Sequence, residues 1–162
     1  MDFEAQGLVD DPGNPATFER CKLDWRELEA HESAYALHLD LLRLRREDPA
    51  FSAQEPGMVD GCVLSHTAFA LRYFTPNHRE DRVLIVNLGR DLRRASFAEP
   101  LLAPPPGTDW TLNWSSENPR YGGTGTANLW PDGQWRIAGE SAVVIGPGSR
   151  WRPRSETKRR TA

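Results

Sequence analysis

Six tryptophans are the side chains in this 162-residue sequence with most to offer a ligand, and four of them, Trp110, Trp114, Trp130 and Trp135, fall close together. An indole ring presents a broad apolar face, so an exposed tryptophan on a sheet can stack on the C–H face of a sugar ring. Core packing is the commoner use of tryptophan in a strand, and exposure separates the two uses. Trp114 and Trp130 are the candidates for sugar contact in the second half of the chain. Phe18 and Trp25 stand in a polar region and are the aromatic side chains expected to meet a partner surface or a substrate.

Other chemistries lack their constellations. His31, His38, His66 and His78 are scattered, and His31 and His38 lie seven apart, too far to share a metal ion. Cys21 and Cys62 have neither metal-ligand spacing nor a disulfide framework, which fits a reduced, cytoplasmic setting. Tyr121-Gly-Gly-Thr-Gly125 lacks the Lys-Ser/Thr of a phosphate-binding loop and does not lead into a helix. Ser65-His66 has no nucleophile-elbow context. Carboxylates are plentiful, but the sequence pairs no two of them across a scissile bond. No catalytic residue, metal or cofactor is expected.

The elements that position these residues are of two kinds. Arg82–Leu88 is a nearly continuous apolar run, the mark of a strand buried on both faces. Phe69–Phe74 alternates, with Phe69, Leu71 and Tyr73 on one face and Arg72 on the other. Pro76 and Asn77 punctuate the turn between the two runs, so they form a hairpin. Cys62–Ser65 and Asp91–Ala98 read as further short strands. Trp110–Trp114 alternates, placing Trp110, Leu112 and Trp114 on one face. Residues 115–129 form a long loop. Gln134–Ala138 and Ser141–Ile145 follow, joined at Gly139-Glu140 as a tight hairpin. Short strands at this spacing predict an antiparallel β-sandwich. Before them lies one long amphipathic helix, from Glu27 or His31 to Glu47, with Ala34, Leu37, Leu41 and Leu44 as its core stripe. Tyr35, Leu39 and Leu42 widen its apolar surface. Asp48-Pro49 ends it. Upstream, Asp10–Pro15 is dense in turn formers, and Thr17 is placed to cap a short helical turn.

Charge is uneven along a chain of net charge −3. Residues 1–30 carry eight acids against three bases, and the last fourteen carry six bases against one acid. The basic end reads as a solubilising, disordered tail rather than a nucleic-acid site. The acidic start has no apolar core of a signal peptide, and no run reaches membrane-spanning length. The organisation expected is an irregular leader over 1–26, a helix over 27–50, a β-sandwich over 58–147 and the basic tail over 148–162.

Several stretches resemble one family. They are Asp11-Pro12 with Pro15-Ala-Thr-Phe-Glu-Arg20, Lys22-Leu-Asp-Trp25, Leu41-Leu-Arg-Leu-Arg-Arg46 with Pro49, Val86-Asn-Leu-Gly-Arg-Asp91, Asn113-Trp-Ser-Ser-Glu-Asn-Pro-Arg-Tyr-Gly-Gly123 and Gly139-Glu-Ser-Ala-Val-Val144. Together they look like the C-terminal end of the malto-oligosyltrehalose trehalohydrolases, α-amylase-type glycoside hydrolases. The resemblance implies an α-amylase C-terminal sandwich, with residues 9–25 matching the loop after the last barrel strand and 27–47 the last barrel helix. In such enzymes a (β/α)8 barrel carries an aspartate nucleophile, a glutamate acid/base and a further aspartate on its C-terminal face. The family cleaves the α-1,4 bond that releases trehalose. All barrel strands lie upstream of the part matched here. None of those carboxylates therefore has a counterpart, and two carboxyl groups about 5–5.5 Å apart are what a retaining glycosidase needs.

The expectation is a non-catalytic accessory domain. The alternative is a stand-alone module binding α-glucan or malto-oligosyl trehalose. The helix carries more apolar surface than one small sheet covers. An exposed patch is therefore expected along Leu37, Leu41, Leu44 or their neighbours, open to an upstream barrel chain or to self-association.

Overall fold

The computed structural model describes residues 10–148. The first nine residues of the leader, and the tail from residue 149 with its Trp151, lie outside the described residues. The chain divides into two compact units, Met1–Glu32 and Ser33–Ala162.

In the first unit, α1 (Pro15–Arg20) begins at a proline, whose fixed φ suits the first helical position. Asn14, not Thr17, is its cap, accepting from the Ala16 N–H at 2.9 Å. A four-residue α2 (Glu27–Ala30) follows. Neither helix buries a residue.

The second unit is organised by sheet. Its strands are β1 (Val59–Ser65), β2 (Ala68–Tyr73), β3 (Arg82–Asn87), β4 (Leu92–Arg94), β5 (Trp110–Ser115), β6 (Trp135–Ile137) and β7 (Ser141–Pro147). Five form an antiparallel sheet in the order β1-β2-β3-β7-β5, and β4 pairs with β6 in a second, two-stranded sheet. The expected β2–β3 hairpin forms, with Leu71 opposite Leu84 and Phe69 opposite Val86. The strand expected over Asp91–Ala98 is only the three residues of β4.

Two predicted pairings differ. β6 and β7 are not a hairpin: Gly139-Glu140 carries the chain from the small sheet to the large one. The turn docks on β3's end, where the Glu140 N–H donates to Gly89 O at 3.0 Å. Asn87 locks the junction, its Nδ2 donating to the carbonyls of Arg90 (2.8 Å) and Ala138 (2.9 Å). In β5, the register against β7 slips between Leu112 and Trp114. A bulge gives the strand one extra residue, so the alternation reverses. Trp110 and Leu112 stay with the main core, and Trp114 turns to the opposite face.

The two faces of the five-stranded sheet have separate cores. One joins Ala70, Val83, Ile85, Val143 and Ile145 to Ile137 of β6, Leu102 and Leu129. This is also the Arg72 side of β2. Buried Arg72 donates from Nη2 to Asp81 Oδ2 at 2.9 Å and from Nη1 to Ala103 O at 2.7 Å. The opposite face packs Trp114, Val144 and Leu84 against α3 (Glu32–Glu47) through Leu44 and Leu37.

The helical segment is broken at His31, between α2 and α3. Pro49 starts a new short helix, α4 (Pro49–Ser52), capped by Asp48. The buried side of α3 is Ala36, Asp40 and Leu44, rotated from the expected stripe: Ala34 and Leu41 are exposed. The rotation follows from Asp40, a carboxylate that is fully buried because it is fully partnered. Tyr35 and Leu42 are left exposed, so the apolar surplus lies beside the predicted stripe rather than on Leu44.

Candidate functional site

The four sequence-derived aromatic candidates do not converge. Phe18 and Trp25 belong to the first unit and are 65% and 73% exposed. Lys22 Nζ stands 4.9 Å from the Phe18 ring centre. Trp114 is only 6% exposed, on the helix side of the large sheet. Trp130 is half-buried and meets Trp135 edge-on at 5.4 Å, and Trp135 meets Phe97 in the same way at 5.7 Å.

Trp114 is held by a polar chain that ends in α3. Its indole N–H donates to the Tyr121 hydroxyl at 3.2 Å, and that hydroxyl donates to Asp40 Oδ2 at 2.8 Å. Arg120 Nη1 donates to the same oxygen at 2.8 Å, and Arg43 Nη1 reaches Asp40 Oδ1 at 3.3 Å. Burial, reinforced by the hydrogen bond to Asp40, pushes the Tyr121 hydroxyl up to about 12. Arg120 and Tyr121 come from a 3₁₀ turn, Pro119–Tyr121, set by Asn118 accepting from the Arg120 N–H. Gly123 closes this loop. A Cβ there would lie 2.4 Å from the Glu117 carbonyl carbon. The stretch from Asn113 to Gly123 therefore docks the loop on the helix.

Beside Trp114, α3 and α4 leave part of the sheet open. A cavity of about 340 Å³ is lined by Leu41, Leu44 and Arg45 of α3, Phe51 and Gln54 near α4, and Tyr73, Leu84, Trp114 and Val144 of the sheet. Its walls are almost entirely apolar, suited to an apolar side chain or helix face. Phe51 and Tyr73 meet edge-on at 4.7 Å along one wall. The α3–α4 corner is fixed by Asp48. One oxygen caps α4, and the other accepts from Arg82 Nε at 2.7 Å. The groove is the site that sequence reasoning missed. Its residues are ordinary core types, and only the bulge and the helix rotation bring them together.

At the far end of the sheet is an open polar cleft of about 650 Å³, walled by Gly89–Asp91, Glu117, Thr124 and Ala138–Glu140. Its carboxylates serve the backbone. Asp91 Oδ1 accepts from the Gly139 N–H at 3.1 Å, and Glu117 Oε2 from the Thr124 hydroxyl at 3.2 Å. Among the described residues, no group of three His, Cys, Asp or Glu side chains could hold a metal ion. No described helix is long and apolar enough to cross a membrane.

Comparison with known proteins bears on which of these surfaces matters. One relative, the malto-oligosyltrehalose trehalohydrolase of Deinococcus radiodurans, is 42% identical over 87 residues, covering 52% of this chain and 14% of the relative. The malto-oligosyltrehalose trehalohydrolase of Arthrobacter ramosus is 50% identical over 44 residues, covering 26% of this chain and 8% of that protein. The chain thus matches only a small part of the length of either relative. The model of a whole family matches residues 56–145, from the loop before β1 into β7. The chain belongs to that family, described as "Domain of unknown function (DUF3459)".

Proposed function

We propose that this chain is the non-catalytic C-terminal accessory domain of a hydrolase of the malto-oligosyltrehalose trehalohydrolase type. In this reading residues 1–26 correspond to the loop after the last barrel strand, 27–50 to the last barrel helix, and 58–147 to an α-amylase-type C-terminal β-sandwich. The two sheets are its layers. The observation that carries the reading is the 42% identity over 87 residues to a trehalohydrolase of which those residues make up 14%. The groove and the uncovered side of α3 support it, because an apolar surface of this extent is built to be covered. The domain's work is structural: it braces the barrel and shields it from water. Phe18 and Trp25 are the side chains placed to approach the sugar, since their segment corresponds to a loop at the active face. Hydrolysis itself depends on carboxylates outside this chain.

The reading is tested by grafting. Residues of this chain replace the 87 they match in the Deinococcus radiodurans relative, and trehalose release is assayed. The graft is expected to release trehalose, and this chain alone is expected to release none. A folded, inactive graft would contradict the assignment.

One observation favours a second reading, α-glucan binding by the domain itself. Trp130 and Trp135 are both half-buried, and neither indole N–H has a hydrogen-bond partner among the described residues. Such a pair can offer a sugar both an apolar face and a donor. Loss of maltopentaose affinity in Trp130→Ala would support it. Trp114, with its N–H already given to Tyr121, is the weaker candidate of the two.

A further inference from the structure

We infer that the half-covered face of β1, β2 and β3 is the seat of an apolar-faced helix from the barrel-bearing part of the enzyme. The inference rests on the function proposed above and names the surface through which it operates. Cross-strand neighbours share a face of a sheet. The register therefore places Val59 with Tyr73, Val63 with Phe69, Leu71 with Leu84, and Phe69 with Val86 on the side away from the main core. An antiparallel sheet with one face in water carries polar residues there. Here that face is apolar from end to end. Phe69, Leu71 and Val86 join neither hydrophobic core. Val63 is 80% exposed, and Leu88, just past β3, is 69% exposed.

Helix α3 covers only the other half, where Leu44 and Leu37 meet Trp114, Val144, Ala142 and Leu84. A helix is about 10 Å across and strands are about 4.8 Å apart, so one helix covers roughly two strands. Three strands remain, the width of one further helix lying beside α3. The groove bounded by Leu41, Phe51 and Tyr73 marks the seam between the two positions. The occupant must be apolar, because the face offers no charged side chain to pair. Most of each relative's length lies outside the stretch matched here, which leaves ample chain to supply that helix.

The test uses the same graft, labelled by photogenerated carbene and read by peptide mass spectrometry against this chain alone. Labelling of Val63 and Leu88 is expected to fall at least about fivefold in the graft, because the centre of an interface excludes solvent. Labelling of exposed Ser96 should not change. A Val63→Asp graft should regain the labelling at Leu88. A graft that releases trehalose while Val63 and Leu88 label as in the isolated chain would overturn the inference and leave the proposed function standing. A folded graft that releases no trehalose and gains no protection would overturn both. If this chain alone is a dimer with these residues already protected, the occupant is a second copy and the inference is again wrong.

Discussion

The hydroxyl of Tyr121 donates to Oδ2 of Asp40 across 2.8 Å, joining a loop to a helix 81 residues away. Asp40 is wholly buried, so each of its donors offsets part of the cost of taking a carboxylate out of water. Tyr121→Phe removes one charged hydrogen bond and leaves the Arg120 and Arg43 contacts. The expected loss is about 1.5–3 kcal/mol, measured by urea unfolding. Asp40→Leu, which removes the charge as well, should cost less than Arg120→Leu, which strands it. The reverse order would contradict this account of the network.

The same contact sets an alkaline limit. The Tyr121 pKa is raised in the folded chain to about 12, so the folded state holds this proton more tightly than the unfolded chain does. Its stabilisation is complete below about pH 10, the ordinary tyrosine value, and is lost as pH rises toward 12. Ultraviolet titration should show two tyrosines ionising before the third, and Tyr121→Phe should remove the late step.

Asp81 sets the acid limit. Burial pushes its pKa up. The hydrogen bonds from the Thr75 N–H, Arg72, His78 and the Thr75 hydroxyl together outweigh burial and leave it below the usual carboxylate range. A depressed folded pKa gives stability that is present above the unfolded value, near 4, and lost as pH falls through the folded one. Arg72→Met leaves this carboxylate buried without its ion pair and is expected to cost about 3–5 kcal/mol. It should also move the acid-unfolding midpoint upward. An unchanged midpoint would show that Arg72 does not hold Asp81 charged.

Gly123 allows the loop to fold onto itself. An alanine methyl there would sit 2.4–2.5 Å from the Glu117 backbone. Gly123→Ala is expected to destabilise by about 1–3 kcal/mol, the usual cost of overpacking. Chemical denaturation of the two proteins side by side measures it.

The cysteines should separate by reactivity. Burial, with Glu99 nearby, pushes the Cys62 thiol up to about 11. Since the thiolate is the nucleophile, Cys62 should resist a disulfide reagent at pH 8. Exposed Cys21 should react with one equivalent. Two rapid equivalents would mean that Cys62 is more open than its surroundings imply.

What was legible in the sequence was local. The apolar run of β3 and the alternation of β2 specify their hairpin, because each needs only its own side-chain pattern. The position of Trp114 was not legible. A bulge at Asn113 reverses the alternation, and no glycine marks it. The turn at Gly139-Glu140 has hairpin residues, yet it serves a crossover fixed by Asn87, some fifty residues upstream. The face that α3 buries was misread because Asp40 counts as polar in any periodicity. Only Arg120 and Tyr121, far along the chain, make it a core residue. The aromatic candidates share this limit: composition marks Trp114 and Trp130 alike, and packing alone distinguishes them.

The central claim is that this chain takes part in trehalose release without catalysing it. The direct test is to titrate the purified chain with malto-oligosyl trehalose and maltopentaose, following tryptophan fluorescence, and to assay the same samples for free trehalose. The account predicts no trehalose above the blank at any substrate concentration, whether or not fluorescence changes. Trehalose released by this chain alone would contradict it.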